Sequence, residues 1–150
     1  MDAQHHRAPA DPGPAALSAL RAVNDSAAFN RWAGLEVLSV APGSVELQMP
    51  WRDELGQYSG FLHASLIGGL IDTACGFAAS TVSGPVLASQ FSVRCLAPAQ
   101  GQRFLVKGRV VKAGRRQVFA SANLYALAHP ADEPRLCATG DAILVPLQAA

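Results

Sequence analysis

The chain reads as a single α+β domain in which a curved antiparallel sheet wraps one long central helix. Three observations predict this. The run 62–82 is apolar nearly all round. Short strand-like segments stand on both sides of it. Those segments are joined by brief turns rich in Ala, Pro and Gly. A helix with no polar face must be buried on most sides. Consecutive strands with short connections pair antiparallel. A sheet that does both has to curve around the helix.

Size and composition agree. The 150 residues are 50% hydrophobic and 15% charged, enough for one well-packed core and too little charge for a disordered chain. The formal net charge is +1 and no basic block occurs, so nothing supports a nucleic-acid partner. Cys75, Cys95 and Cys137 are odd in number, far apart and without a CxxC, which argues against a disulfide framework or a zinc site and for reduced core thiols. No metal and no cofactor are expected, and no GxGxxG or Walker pattern is present.

Residues 1–14 are rich in Pro and Ala, lack an apolar h-region and read as a flexible tail rather than a secretory signal. His5 and His6 lie in it and read as solvated. The domain is then 15–150. Residues 15–23 form a short helix, and Ser26 caps a second one that carries Phe29 and Trp32 and ends at Gly34. Strands follow at 35–40 and 44–51, split by Ala41-Pro42-Gly43. In the second, Val45, Leu47, Met49 and Trp51 alternate with polar residues, as in a half-buried strand. A polar loop at 52–59 includes Asp53 and Glu54 as solvent-facing charges.

The central helix spans 63–81 and is broken by Ser83-Gly84-Pro85. Its length would also span a bilayer, at about 20 residues. Asp72 near the middle would then cost roughly 2.5–3.5 kcal/mol, and no Lys or Arg flanks the run, so burial in a soluble fold and a cytoplasmic location are expected. Ser65, Gly68, Asp72, Cys75, Gly76 and Ala79 share one face. Each interior glycine costs about 1 kcal/mol relative to Ala, so Gly68-Gly69 implies close packing there. Strands at 86–96, 103–112, 117–127 and 135–146 complete the sheet, with a polar loop at 129–134.

The aspartate inside this apolar helix needs a reason. Gln57, then Gly60-x-x-His63 at the helix start, then Asp72 nine residues on, resembles the hotdog-fold acyl-CoA thioesterases, most closely the PaaI-type branch of the phenylacetate pathway. Two downstream segments carry the resemblance further. Val93-x-x-Leu96-Ala97-Pro98-Ala99-x-Gly101 is similar to the family's strand ending in a Pro-Ala turn. The stretch from Val110 to Arg116 is similar to its strand-turn-strand with basic residues. The match covers residues 30–146. One departure stands out: the family's His-Gly-Gly is His63-Ala64-Ser65 here, which keeps the backbone N–H but adds side chains.

The resemblance implies hydrolysis of an aryl- or medium-chain acyl-CoA thioester. The Ala64 N–H at the positive end of the helix polarises the carbonyl. Asp72 is general base or nucleophile, Gln57 orients water or the carboxylate, and His63 supports the helix start. Gly60 and Ser65 border the substrate. Lys112, Arg115 and Arg116 bind the CoA phosphates, with Arg94 a weaker candidate. Ser65 and Thr73 lack a GxSxG setting and are packing residues, not nucleophiles. Ala64 and Asp72 lie about 12 Å apart along one helix at 1.5 Å per residue. Asp72 therefore serves the helix start of a second copy. The resemblance implies the same arrangement, a homodimer with sites at the subunit interface, or a tetramer built from it. A non-catalytic acyl-CoA binding or sensing protein, and a hotdog dehydratase or hydratase, are the alternatives.

Overall fold

The computed structural model describes residues 13–147. It contains six strands and three α-helices among them. In chain order these are α1 (Gly13–Ser26), α2 (Ala28–Ala33), β1 (Glu36–Ala41), β2 (Ser44–Pro50), α3 (Ala64–Ser83), β3 (Val86–Cys95), β4 (Arg103–Ala113), β5 (Val118–Leu127) and β6 (Arg135–Pro146). All neighbouring strands pair antiparallel, in the order β1-β2-β4-β5-β6-β3.

The alternation in β2 follows the expectation. Val45, Leu47 and Met49 are buried and their neighbours are not, which puts one face of the sheet on the core. The strand ends at Pro50, one residue short of expectation, although the Trp51 N–H still donates to the Gln102 carbonyl of the facing segment at 2.9 Å. On β5 the residues Val118, Ala120, Ala122, Leu124 and Ala126 point the same way. α3 lies in the hollow of this face and touches β3, β4, β5 and β6. Leu66, Ile67, Leu70, Ile71, Ala74, Cys75, Ala78 and Ala79 are its buried side chains. α3 is long and apolar enough to cross a membrane, and here that apolar surface is spent on the sheet.

The close approach of helix and sheet is made by sheet glycines, not by the helical pair Gly68-Gly69. A Cβ on Gly108 of β4 would stand 2.4 Å from the Ala74 carbonyl oxygen. One on Gly140 of β6 would meet the Ile71 Cγ2 at 2.6 Å. Gly68 and Gly69 face only rings, Phe91 at 3.5 Å and Phe29 at 3.2 Å from the same kind of added atom. The close packing expected at the diglycine is therefore met at Gly69, by Phe29, while Gly68 has only ordinary contact with Phe91.

Several boundaries differ from expectation. α1 starts at Gly13, inside the stretch expected to be a tail, and the rest of that stretch, with His5 and His6, lies outside the described residues. Ser26 does not cap α2. Its hydroxyl donates to the Val23 carbonyl at 2.7 Å and closes α1, while Ala27 precedes α2 without a side-chain cap. α2 does end at Gly34, at φ 72°. The joint between α1, α2 and β1 is a buried amide pair: Asn30 donates to Asn24 at 3.0 Å, and Asn24 donates to the Leu35 carbonyl at 2.8 Å.

β3 is an edge strand, and it is apolar and open. Leu87, Phe91 and, just beyond the strand, Leu96 are 62%, 48% and 54% exposed. A long apolar edge with unpaired backbone groups is a surface for another chain.

Candidate active site

The site begins at the first turn of α3. Four N–H groups at a helix start have no intrahelical partner. Here three of the four are satisfied. The His63 N–H donates to the Leu55 carbonyl and the Leu66 N–H to the His63 carbonyl, both at 3.0 Å. The Ser65 N–H donates to the His63 ring at Nδ1, 3.1 Å away, which makes His63 the helix cap. The Ala64 N–H alone has no acceptor among the described residues. It is a free donor at the positive end of a 20-residue helix.

The preceding loop is pinned to face it. Gly56 and Leu62 form an isolated bridge, the Leu62 N–H donates to the Ala99 carbonyl at 2.8 Å, and the His63 N–H to the Leu55 carbonyl at 3.0 Å. Gly60 makes the turn at φ 75°. Gln57 sits at the other end of this turn. Its side-chain carbonyl accepts from the Ser59 N–H, so its NH₂ group remains to donate.

Gln57, His63 and Ala64 meet in one cleft of about 470 Å³. Its apolar walls are Tyr58, Phe61, Leu62 and Ile67 on one side and Cys95, Leu96, Ala97, Pro98 and Ala99 on the other. Two wall residues escaped sequence reasoning. Tyr58 is wholly exposed and lay unremarked in a polar loop. Cys95 is an exposed thiol of the edge strand and corrects the expectation of three core cysteines; Cys75 and Cys137 are buried. The signal was available in the neighbouring Pro-Ala turn, which reverses the chain beside the loop.

The other expected residues lie elsewhere in the chain. Gly60 borders a separate depression with Trp51 and Gly101, and Ser65 turns its hydroxyl to His63 at 2.7 Å. Lys112, Arg115 and Arg116 are exposed at the β4–β5 turn. Val118 of that hairpin pairs with Leu144, which pairs with Ala88. The turn therefore stands beside the C-terminal end of α3, the opposite end from His63. Arg94 is engaged by Asp141 at 3.4 Å.

Asp72 is half-buried, two turns beyond Ala64. Its Oδ1 is shielded from solvent and accepts no hydrogen bond. Burial pushes its carboxyl above the ordinary value of 3.8. Cys75 lies one turn on. Burial first, and then the charges of Asp72 and Asp141, push its thiol up to about 12, so it stays protonated and is no nucleophile. Among the described residues, no three His, Cys, Asp or Glu side chains group as a metal site requires.

Comparison with known proteins gives this geometry a family. The thioesterase superfamily matches residues 59–129, the span from the loop through α3 to β5. A thioesterase family protein from Silicibacter pomeroyi is 35% identical, with 87% of this chain and 96% of that one covered at a TM-score of 0.81. The chain belongs to the thioesterase superfamily. Zebra fish thioesterase superfamily member 2 is 26% identical over 87% of this chain and 97% of its own, with a TM-score of 0.76. The Escherichia coli PaaI protein, from the phenylacetic acid degradation operon, shares the fold at 15% identity, with 90% and 95% covered and a TM-score of 0.80. No curated protein matches the sequence. The hotdog architecture expected of a thioesterase is the one observed.

Proposed function

We propose that this thioesterase hydrolyses an acyl-CoA thioester as a homodimer, each site drawing Gln57, His63 and Ala64 from one protomer and Asp72 from the other. The observation that carries the reading is a pair of orphans on α3: a donor without an acceptor, the Ala64 N–H, and a half-buried acceptor without a donor, Asp72 Oδ1. A buried acceptor such as Asp72 Oδ1 is rarely left unmatched unless a ligand or partner meets it, and the N–H of the exposed Ala64 is open to one.

The dimer has its own support. Two α3 helices packed antiparallel, with Asp72 of each opposite Ala64 of the other, have their midpoint level with Gly68. Gly68 itself is buried in its own chain, so the half-buried Asp72, Thr73 and Gly76 are what α3 leaves for a partner. The exposed edge of β3 would join its counterpart across the same two-fold axis. The partner's Lys112, Arg115 and Arg116 would then come beside this chain's helix start, where the phosphates of CoA need cations.

The chemistry follows from these groups. The Ala64 N–H donates to the thioester oxygen and strengthens as the oxygen becomes an oxyanion. Asp72 either takes a proton from the attacking water or attacks the carbonyl carbon itself, in which case water then cleaves the acyl-aspartyl anhydride and restores the carboxylate. The Gln57 amide holds the water or the carboxylate. The C–S bond breaks and CoA leaves as its thiol once protonated. The apolar walls suit an aryl or medium-chain acyl group, and the cytoplasm is the proposed location. Release of free thiol from a panel of aryl- and alkyl-CoA thioesters tests the reading. Turnover is expected. Binding of these esters without turnover would make the protein an acyl-CoA binder instead.

A further inference from the structure

In the family resembled, glycine follows the two residues of the helix start; here Ser65 occupies that position, with the same backbone N–H and a hydroxyl beside it. Two groups of Ser65 converge on one atom. Its backbone N–H lies 3.1 Å from His63 Nδ1 and its Oγ lies 2.7 Å from the same nitrogen. A backbone N–H can only donate. Nδ1 is therefore the acceptor, and in the neutral ring the proton sits on Nε2. A proton on Nδ1 would face the Ser65 N–H head-on and leave it without a partner at the helix start.

We propose that Ser65 is a positioning residue that locks His63 in its Nε2–H tautomer, so that the ring meets the occupant of the cleft only as a hydrogen-bond donor. His63 lines that cleft, and with Nδ1 engaged by the helix its one remaining polar atom is Nε2. Ser65 itself is not among the cleft-lining residues. Its hydroxyl is folded back on the ring within the first turn, and this sets it apart from a nucleophile activated by histidine. The locked ring cannot serve as the general base, which leaves that work to Asp72. The consequence for turnover rests on the thioesterase reading above; the tautomer does not.

The test is the two-bond ¹H–¹⁵N correlation spectrum of the full-length, ¹⁵N-labelled protein above the imidazole titration range. His63 is assigned by the signal lost in His63→Gln. The wild type is expected to show the Nε2-protonated pattern. Ser65→Ala keeps the N–H and drops the hydroxyl, so it is expected to keep the Nε2-protonated pattern, as is Ser65→Thr. An Nδ1-protonated pattern in the wild type overturns the proposal, and that reading needs no variant to fold. So does a Ser65→Ala protein that turns to the Nδ1-protonated form, because the hydroxyl and not the N–H would then set the tautomer. An Nε2–H pattern in a protein that turns over no thioester would support the tautomer and count against the hydrolase.

Discussion

The Ala64 N–H and the Asp72 Oδ1 stand eight residues apart on one helix, and neither has a partner among the described residues. The axial rise between them is about 12 Å, too far for one bound thioester carbonyl and its water to touch both within a chain. In the proposed dimer this separation couples the chemistry to assembly, because the two groups would meet across antiparallel helices.

Asp72→Asn keeps the shape and removes the charge. Thiol release is expected to fall about 10²–10⁴-fold, the usual contribution of a general base. The melting temperature is expected to stay level or rise, because the carboxylate is half-buried with an oxygen that accepts nothing. A variant with wild-type turnover would remove Asp72 from the chemistry.

The pH behaviour follows from the raised carboxyl pKa of Asp72, caused by burial. The folded protein holds that proton more tightly than the unfolded chain. This contribution to stability is complete below the unfolded value and is lost as pH rises through the folded one. The stability gap between Asp72→Asn and wild type should therefore widen as pH rises through that range and close on acidification. The base must be ionised, so kcat should fall on an acid limb centred above 3.8. Cys75 stays protonated throughout this window. Denaturant melts and rate profiles over the acid range measure both.

Phe91→Lys puts a charge in the middle of the open β3 edge. Sedimentation is expected to report a monomer, circular dichroism a retained fold, and thiol release a loss of at least about 10²-fold as the partner's base departs. A fully active dimer would mean that another surface mediates assembly.

The basic turn is tested by Lys112→Ala, Arg115→Ala and Arg116→Ala combined. KM for CoA thioesters is expected to rise about tenfold or more, at the level of one or two charge-assisted contacts to phosphate. KM for a short thioester without the nucleotide should be unaffected. Equal effects on both substrates would separate the turn from phosphate binding.

The fold was legible because its signals are periodic: alternation in β2, the all-round apolar run of α3, and turn residues between strands. Gln57, His63 and Ala64 were found through spacing around the helix start, and the cleft does unite them. What stayed hidden depends on contacts distant in sequence. Gly108 and Gly140 look like ordinary strand residues until Ala74 and Ile71 are placed over them. The Asn24–Asn30 pair joins elements that only the folded chain brings together. Ser26 has the right chemistry for a cap, but its hydroxyl found the end of α1 first. Cys95 reads as core until β3 is known to be an edge.

The most direct test of a shared site mixes two inactive proteins. Ala64→Pro removes only the free N–H: proline is at home in the first helical position, and His63 before it already has the extended backbone that proline demands. Alone, Ala64→Pro should lose about 10²–10³-fold of turnover, and Asp72→Asn should be inactive. Unfolded and refolded together in equal amounts, they should recover about a quarter of wild-type activity, since half the dimers are mixed and each has one intact site of two. Activity that stays at the level of the separate variants would contradict the account, because it would place Ala64 and Asp72 in sites that do not share them across the interface.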